Sequence, residues 1–344
     1  MLKGTNSLLS VAVMFALLAL SCDNESTRER PRGTEGGPCY DDDTCDGNLV
    51  CFEGMCFAPG AVSDKDALAD DAAIPDIDHG TGTPGEMVDV PAGEFWMGCN
   101  EEIQGPCQVS EYPYHAVTLS AYRIGRYEVT VGEYQKCIVS GACTNAGKDD
   151  HYYTFTESSF CNIGTTGKDD HPANCVTWNG ANAYCAWVGG RLPTEAEWEK
   201  AARGTDGWRC PWGNAGVSCY YAVMDDENSG SEGCGTGGTL PVGSRPEGVS
   251  PYGAYDMIGN VTEWVADWFG EDYYASSPAT DPPGPETGEW RVVRGGAWLD
   301  VDGKLVGYDE PLRASDRGAA YPGNFSLDIF PDPLRDAVGF RCAE

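Results

Sequence analysis

The stretch 251–268 of this 344-residue chain carries the side chains best suited to metal chemistry. Its sequence, PYGAYDMIGNVTEWVADW, places the carboxylates of Asp256, Glu263 and Asp267 among large aromatic residues and glycines. Such a mixture is poor material for a regular helix or strand. Because hard cations prefer oxygen ligands, the stretch predicts a tight loop folded around a hard cation, with aromatic rings beneath it.

The N-terminal residues have the pattern of an export signal, and the cysteine content agrees with export. Lys3 precedes an apolar run at 8–20 and a Ser21-Cys22 pair, which is the pattern of an export signal. The pattern resembles a bacterial lipoprotein signal, in which Cys22 becomes the lipid anchor in the cell envelope; ordinary secretion is the alternative. Sixteen cysteines in an exported chain predict an oxidising compartment and disulfide bonds.

A short cysteine-rich segment follows the signal. Its cysteines are Cys39, Cys45, Cys51 and Cys56. The segment has few other residues to bury, so two disulfides are expected to stabilise it, and their connectivity stays open. A zinc site is the alternative, but the segment has neither a Cys-x-x-Cys knuckle nor a nearby histidine.

One tetrapeptide, Lys-Asp-Asp-His, occurs twice, at 148–151 and at 168–171. Two such clusters could bind a transition metal, because histidine is a usual ligand for one. The alternative, which we favour, is chance duplication in an acidic loop, since short motifs match by accident.

Composition limits the fold and the partners. The chain contains 45 Gly, 22 Pro and 10 Trp and few long apolar periodic segments, which indicates a loop-rich fold braced by aromatic residues rather than a helical bundle. A formal charge of −32 disfavours nucleic acid and anionic lipid as partners. Calcium or a basic partner fits this charge, and so does a simple role in solubility.

Changes in composition divide the chain into five segments. They are a signal peptide at 1–21, a tether at 22–38, a small disulfide module at 39–57, an acidic disordered linker at 58–85 and the main domain at 86–344.

The elements of the main domain are expected to be short. Two alternating apolar stretches predict a β-hairpin over 87–97. Capping residues predict helices that begin after Thr130 and Thr194, and apolar spacing predicts another around Cys185. Regular structure should be sparse between 208 and 298.

Seven blocks of the main domain carry a family resemblance. They are MVDVPAGEFWMG (87–98), HAVTLSAYRIGRYEVT (115–130), HPANCVTWNGANAYCAWVGGRLPTEAEWEKAARG (171–204), LPVGSRPEG (240–248), GAYDMIGNVTEW (253–264), RVVRGGAW (291–298) and VGFRC (338–342). In this order they resemble the formylglycine-generating enzyme family, also called sulfatase-modifying factors. The resemblance covers 86–344 and implies an irregular α+β fold, rich in Gly and aromatic residues and related to C-type lectins.

The resemblance also tests whether the family's chemistry is retained. Family members oxidise a sulfatase cysteine to formylglycine, using oxygen and a copper ion held by two cysteine thiolates. Those positions fall here at Asp300 and Leu305, and no cysteine occurs between Cys234 and Cys342. Copper is therefore not expected. Asp300 is either a ligand for a harder metal or, more simply, a solvated loop residue. Relatives that bind iron through histidines of an added helical domain are also a poor match, because the chain has only four His.

A structural calcium site does carry over in the resemblance. It implies a side-chain oxygen from Asp256, carbonyl oxygens from Gly259 and Val261, and a carboxylate from Glu263. Calcium prefers such oxygen ligands. The alternative is that the two acids only cap a turn.

The resemblance implies that the family's second calcium site is absent here. Its side-chain ligands fall near Val223 and Cys234, neither of which offers an oxygen. We expect a Cys219–Cys234 disulfide to close that loop in place of the ion.

Other disulfides follow from the resemblance or from loop closure. The resemblance implies a Cys185–Cys342 bridge, and both ends of a second family bridge are replaced, by Ala202 and Ala314. Loop closure suggests three further pairs, which leave Cys210 over: Cys99 with Cys107, Cys137 with Cys143, and Cys161 with Cys175.

These observations favour a binding or scaffold module, attached to the membrane only through its lipid anchor. We expect Trp298, Asp300 and Arg313 to line its binding surface, with a peptide, protein or glycan as the ligand. Two alternatives remain open. One is an oxidoreductase or protein-modifying enzyme with an altered metal centre, and the other is a structural component of the envelope.

Overall fold

The computed structural model describes residues 50–52, 55–57, 82–83, 85–144, 161–226, 232–299, 312–322 and 337–344. The chain divides into two compact units, Met1–Asp76 and Ile77–Glu344. In the first unit, strands β1 (Val50–Phe52) and β2 (Met55–Phe57) form an antiparallel hairpin. Its register places Cys51 opposite Cys56. The signal, the tether, the linker up to residue 81 and the other two module cysteines lie outside the described residues.

Two small sheets begin the second unit. β3 (Met87–Val90) pairs antiparallel with β6 (Tyr122–Gly125), and β4 (Gly93–Met97) pairs antiparallel with β5 (His115–Leu119). The predicted hairpin over 87–97 is therefore wrong, because β3 and β4 belong to different sheets. The linking Pro91 cannot donate a ladder hydrogen bond, and each strand buries its alternating apolar residues against a later partner instead.

A four-stranded sheet forms the centre of the domain. It contains β7 (Thr262–Trp268), β8 (Arg291–Arg294), β9 (Gly318–Ala320) and β10 (Val338–Phe340), in the order β10-β7-β8-β9. β10 runs parallel to β7, and the other pairs are antiparallel. β10, near the C-terminus, thus lies beside β7, which is the later part of the acidic aromatic stretch 251–268.

The described part of the chain contains five helices: α1 (Glu101–Gln104), α2 (Val131–Ser140), α3 (Trp178–Trp187), α4 (Glu195–Arg203) and the single turn α5 (Glu232–Gly235), in which Gly233 and Cys234 have left-handed backbone. The capping predictions are confirmed, because Thr130 and Thr194 each cap a helix in a complete capping box. Short 3₁₀ turns occupy Val109–Glu111, Pro246–Gly248 and Tyr273–Ala275. Within the described residues, no helix is long and apolar enough to cross a bilayer.

Helix α4 is the buried centre of the core. All of its residues are buried, including the charged ones. Trp198 is fully enclosed and donates a hydrogen bond from Nε1 to Glu263 Oε2 on β7, at 2.8 Å. Glu199 accepts from two buried guanidinium groups, those of Arg203 at 3.0 Å and Arg294 at 2.6 Å. Glu199 therefore neutralises both Arg203 of the same helix and Arg294 of β8.

Five disulfides stabilise the second unit. They are Cys99–Cys107, Cys137–Cys143, Cys161–Cys175, Cys185–Cys342 and Cys219–Cys234. All five pairs agree with the sequence prediction, and the unbridged Cys210 is buried. Cys185–Cys342 joins α3 to the residues after β10, which fixes the C-terminus to the core.

Candidate functional site

The acidic aromatic stretch divides into a loop and a strand. Residues 251–261 form the predicted loop, but Thr262–Trp268 is the central strand β7, so the expectation of a loop through 268 is wrong. Both edges of β7 are paired, and most of its residues are buried, which outweighs the weak strand propensity of its acids.

The loop is tightly curled just before β7. Asp256, Gly259 and Asn260 have φ values of 55°, 80° and 59°, in the left-handed region. A Cβ at residue 259 would also collide with the carbonyl oxygen of Val223, so only glycine fits there. This curl buries the loop's acidic side chain and brings it beside the first residues of β7.

The two predicted calcium carboxylates are both buried but have different partners. Asp256 Oδ2 accepts a hydrogen bond from the Gly243 backbone N at 2.6 Å, and burial raises the pKa of Asp256 to about 6. Glu263 is held at both oxygens by Arg341, at 2.6 and 2.7 Å, in addition to its bond from Trp198. Glu263 is thus firmly oriented, whereas Asp256 carries an unfavourable buried charge.

A third buried acid, Glu128, joins them. It accepts hydrogen bonds from Asn260 Nδ2 at 2.6 Å and from the Val261 backbone N at 3.1 Å. Burial, and then the charges of Asp256 and Glu263, raise its pKa well above the usual value. Sequence reasoning missed this residue. Its only signal is its place in the family block 115–130, next to the capping box.

The donor set fits a calcium ion in charge and in chemistry. The buried carboxylates of this cluster are Glu128, Asp256 and Glu263. Among the described residues, Arg341 is the fully buried cation beside them, and Arg245 near Asp256 is only partly buried, so carboxylates outnumber buried cations here. The buried Gly259 carbonyl oxygen accepts no hydrogen bond from any residue that the structure describes. A divalent cation held by carboxylate and carbonyl oxygens would balance the charge and satisfy that carbonyl.

The region of the family's second calcium site is closed by a disulfide. Cys219 is bonded to Cys234, which has a φ of 58°, and Cys234 N donates to Met224 O at 2.7 Å. Val223 is fully buried and presents an apolar side chain there. The structure thus forms the bridge that was expected in place of the ion.

Trp298 and Arg313 are placed in the interior, not on a binding surface. Trp298 is 1% exposed, and its backbone N donates to Asn260 O at 3.0 Å. Arg313 is 0% exposed and pairs with Glu111 at 2.6 Å and Asp316 at 2.7 Å. Paired carboxylates make burial of this arginine possible, which the sequence does not reveal. Asp300 and Leu305, at the family's copper positions, lie outside the described residues.

The main domain has one unbridged cysteine, Cys210. Every cysteine in 86–344 lies among the described residues, and all except Cys210 are bridged. Cys210 is 0% exposed, and burial raises the pKa of its thiol to about 12. A buried neutral thiol of this kind is chemically inert.

The second Lys-Asp-Asp-His copy, at 168–171, does not have the form of a metal site. His171 Nδ1 lies 3.2 Å from Lys168 Nζ and 2.9 Å from Thr239 Oγ1. Burial and the charge of Lys168 lower the pKa of His171. An ammonium group beside the ring nitrogen repels a metal ion. The first copy, 148–151, lies outside the described residues.

Comparisons with known proteins identify the family to which the main domain is similar. The model of the sulfatase-modifying factor enzyme 1-like domain matches residues 75–344. A formylglycine-generating enzyme of Thermomonospora curvata is 33% identical over 301 residues, which cover 75% of this chain and 92% of that protein. A hercynine oxygenase of Mycolicibacterium smegmatis is 31% identical over 277 residues, 71% of this chain and 62% of that protein.

A solved structure supports the same assignment. PvdO from Pseudomonas aeruginosa superposes with a TM-score of 0.56 at 30% identity, covering 75% of this chain and 94% of that one. The mixed arrangement of short helices and curled sheets agrees with the α+β, C-type-lectin-related fold that the resemblance implies. The matched family model, the relatives and the fold together show that this chain belongs to the sulfatase-modifying factor family.

Proposed function

We propose that this chain is an exported, calcium-stabilised binding or scaffold member of its family, without copper-dependent formylglycine-generating activity. Its ligand is a peptide, a protein or a glycan. Its place is the cell envelope, where the lipidated Cys22 anchors it.

The observation that carries this proposal is the state of the cysteines. A Cu(I) site of the family type needs two free thiolates side by side. Within 86–344 only Cys210 is unbridged, and it is enclosed in the core. The family's copper positions hold Asp300 and Leu305, which are not soft ligands. This supports a domain that kept the family's framework and lost its copper chemistry.

Calcium is proposed as the structural ion of the loop 251–261. The proposed donors are the carboxylate of Asp256, the carbonyl oxygens of Gly259 and Val261, and the carboxylate of Glu263, which also accepts hydrogen bonds from Arg341. The excess of buried carboxylates supports a bound divalent cation.

The binding face is proposed to involve Asp300 and its neighbours in the chain. Trp298 and Arg313, which are buried, are not part of the proposed face. The strong negative charge supports a ligand with basic groups and disfavours nucleic acid.

The test compares the purified, disulfide-intact protein with a variant that restores the two family cysteines, Asp300→Cys with Leu305→Cys. Both are loaded with Cu(I) and incubated with oxygen and a cysteine-bearing peptide. We expect the natural chain to bind no stoichiometric copper and to leave the peptide mass unchanged. We expect it to retain members of a peptide or glycan array without turnover.

Conversion of the peptide cysteine to formylglycine by the natural chain would refute the proposal. Turnover that needs another metal would favour the alternative of an enzyme with an altered metal centre. An array on which nothing is retained would favour a purely structural role.

A further inference from the structure

A second cluster of metal-binding side chains lies far from the calcium loop in sequence. The Sγ atoms of Cys99 and Cys107 and a carboxylate oxygen of Glu111 all lie within 4.8 Å of one another. Cys99 and Glu111 are buried, and Cys107 is partly exposed. It is the sole group of three such side chains found in the described part of the chain. In the oxidised protein its two sulfurs form a disulfide.

The carboxylate of Glu111 is only half used. Its Oε2 accepts from the Gln108 backbone N and from Arg313 Nη2, both at 2.6 Å. Its Oε1 is buried and has no hydrogen-bond partner among the described residues. Leaving a charged acceptor buried and unpaired costs more than the loss of an ordinary hydrogen bond. An unpaired oxygen on a buried carboxylate whose side chain lies beside two sulfurs indicates a missing partner.

The backbone holds this arrangement in place. Cys99 N donates to Glu111 O at 3.1 Å, so the two ligands lie on paired segments. A Cβ at Gly98 would lie 2.5 Å from Glu111 O, and Gly98 has a φ of 93°, so this close approach requires glycine. Arg313 and Gln108 fix the carboxylate from the other side. The positions of Cys99 and Glu111 therefore do not depend on the disulfide alone.

We propose that reduction of the Cys99–Cys107 bond converts this cluster into a zinc-class metal site, with the two thiolates and Glu111 Oε1 as ligands. Two sulfur ligands and one carboxylate suit borderline-soft zinc rather than calcium. Three protein ligands leave a fourth position for water, which can enter on the partly exposed side of Cys107.

The chemistry requires a dithiol reductant. The dithiol gives two electrons and two protons to the S–S bond and becomes a disulfide itself, which leaves two protein thiols. Binding of one divalent ion then forms two metal–sulfur bonds and releases two protons. The positive charge of the ion also meets the unpaired carboxylate oxygen. The disulfide and the metal-bound form are thus alternative states of one site.

The test uses the full-length chain, reduced mildly with a dithiol until mass mapping shows Cys99 and Cys107 free and the other bridges intact. Zinc is then added, and bound metal is measured after gel filtration. Cobalt(II) serves as a second probe, because thiolate ligation gives it a charge-transfer absorption band. We expect about one ion for each reduced chain and none for the oxidised chain.

Three variants make the result specific. Cys107→Ser should abolish binding, and Glu111→Gln should weaken it at least about tenfold while both thiols remain. The matched control, Cys137→Ser with Cys143→Ser, removes another short-range bridge and should leave binding unchanged. Circular dichroism checks that each variant is folded. A mildly reduced chain that takes up no zinc, or whose uptake is unaffected by Cys107→Ser and Glu111→Gln, would overturn the proposal.

Discussion

Replacing Asp256 by asparagine tests the proposed calcium loop most directly. Burial raises the pKa of Asp256 from 3.8 to about 6 without a bound metal ion, even though the charge of Arg341 acts to lower it. The folded state then holds its proton to a higher pH than the unfolded state does. Stability without calcium should therefore fall as pH rises from about 4 to about 6, and stay lowered above that range. A difference of 6 − 3.8, or about 2 units, corresponds to about 3 kcal/mol.

Bound calcium should remove this penalty, because a divalent charge stabilises the ionised carboxylate. The assay is urea unfolding of the purified protein between pH 4 and 7.5, in excess chelator and in excess calcium. In chelator, we expect the natural chain to lose about 3 kcal/mol more than the Asp256→Asn variant over this range. In calcium, the natural chain should recover most of that loss at pH 7, and the variant should recover little.

Burial raises the pKa of Asp267 to about 8, and this group contributes to the pH dependence of both proteins. Glu128 differs, because the charge of Asp256 helps to raise its pKa, so the Asp256→Asn substitution should also lower the pKa of Glu128. The comparison therefore reports the charge of Asp256 together with its effect on Glu128. Asp89→Asn, at an exposed position of β3, is the matched control and should behave like the natural chain. Identical pH profiles for Asp256→Asn and the natural chain, or no effect of calcium on either, would refute the reasoning.

Three further substitutions test the framework. Gly259→Ala should lower stability by about 2 kcal/mol or more in chemical denaturation, because its backbone is left-handed and its Cβ has no space. Glu263→Gln should cost about 3 kcal/mol in the same assay, since Arg341 loses the charge that neutralises it; an unchanged midpoint would contradict this. Replacing Cys219 and Cys234 together by serine should cost about 3 kcal/mol for a loop of 15 residues, and a calorimetric melting temperature equal to that of the natural chain would argue against this role.

Local features of the sequence predicted much of the fold. The capping boxes at Thr130 and Thr194 define helix starts through contacts between residues only three apart, so they can be recognised without tertiary information. The short-range disulfides can also be predicted without tertiary information, because loop closure favours nearby partners. The loop before β7 was also foreseen from its acids and glycines.

Long-range pairing was not predictable in the same way. Arg313 is buried with two carboxylate partners, Asp316 three residues later and Glu111, 202 residues earlier in the chain, and no local pattern links it to Glu111. The same applies to Glu128, whose partners lie in the loop 251–261. The partners of β3 and β4 were likewise decided by which later strand covers their apolar faces. Which charged residues are buried and which strands pair are therefore decided by the assembled core rather than by local sequence.

The central place of the C-terminal strand has a consequence for the order of folding. β10 completes the four-stranded sheet beside β7, and Arg341 and Cys342 follow it directly. Until these last residues leave the ribosome, Glu263 lacks its countercharge and Cys185 lacks its partner. The four-stranded sheet, the Glu263–Arg341 ion pair and the Cys185–Cys342 bridge therefore cannot form until residues 338–342 have been synthesised.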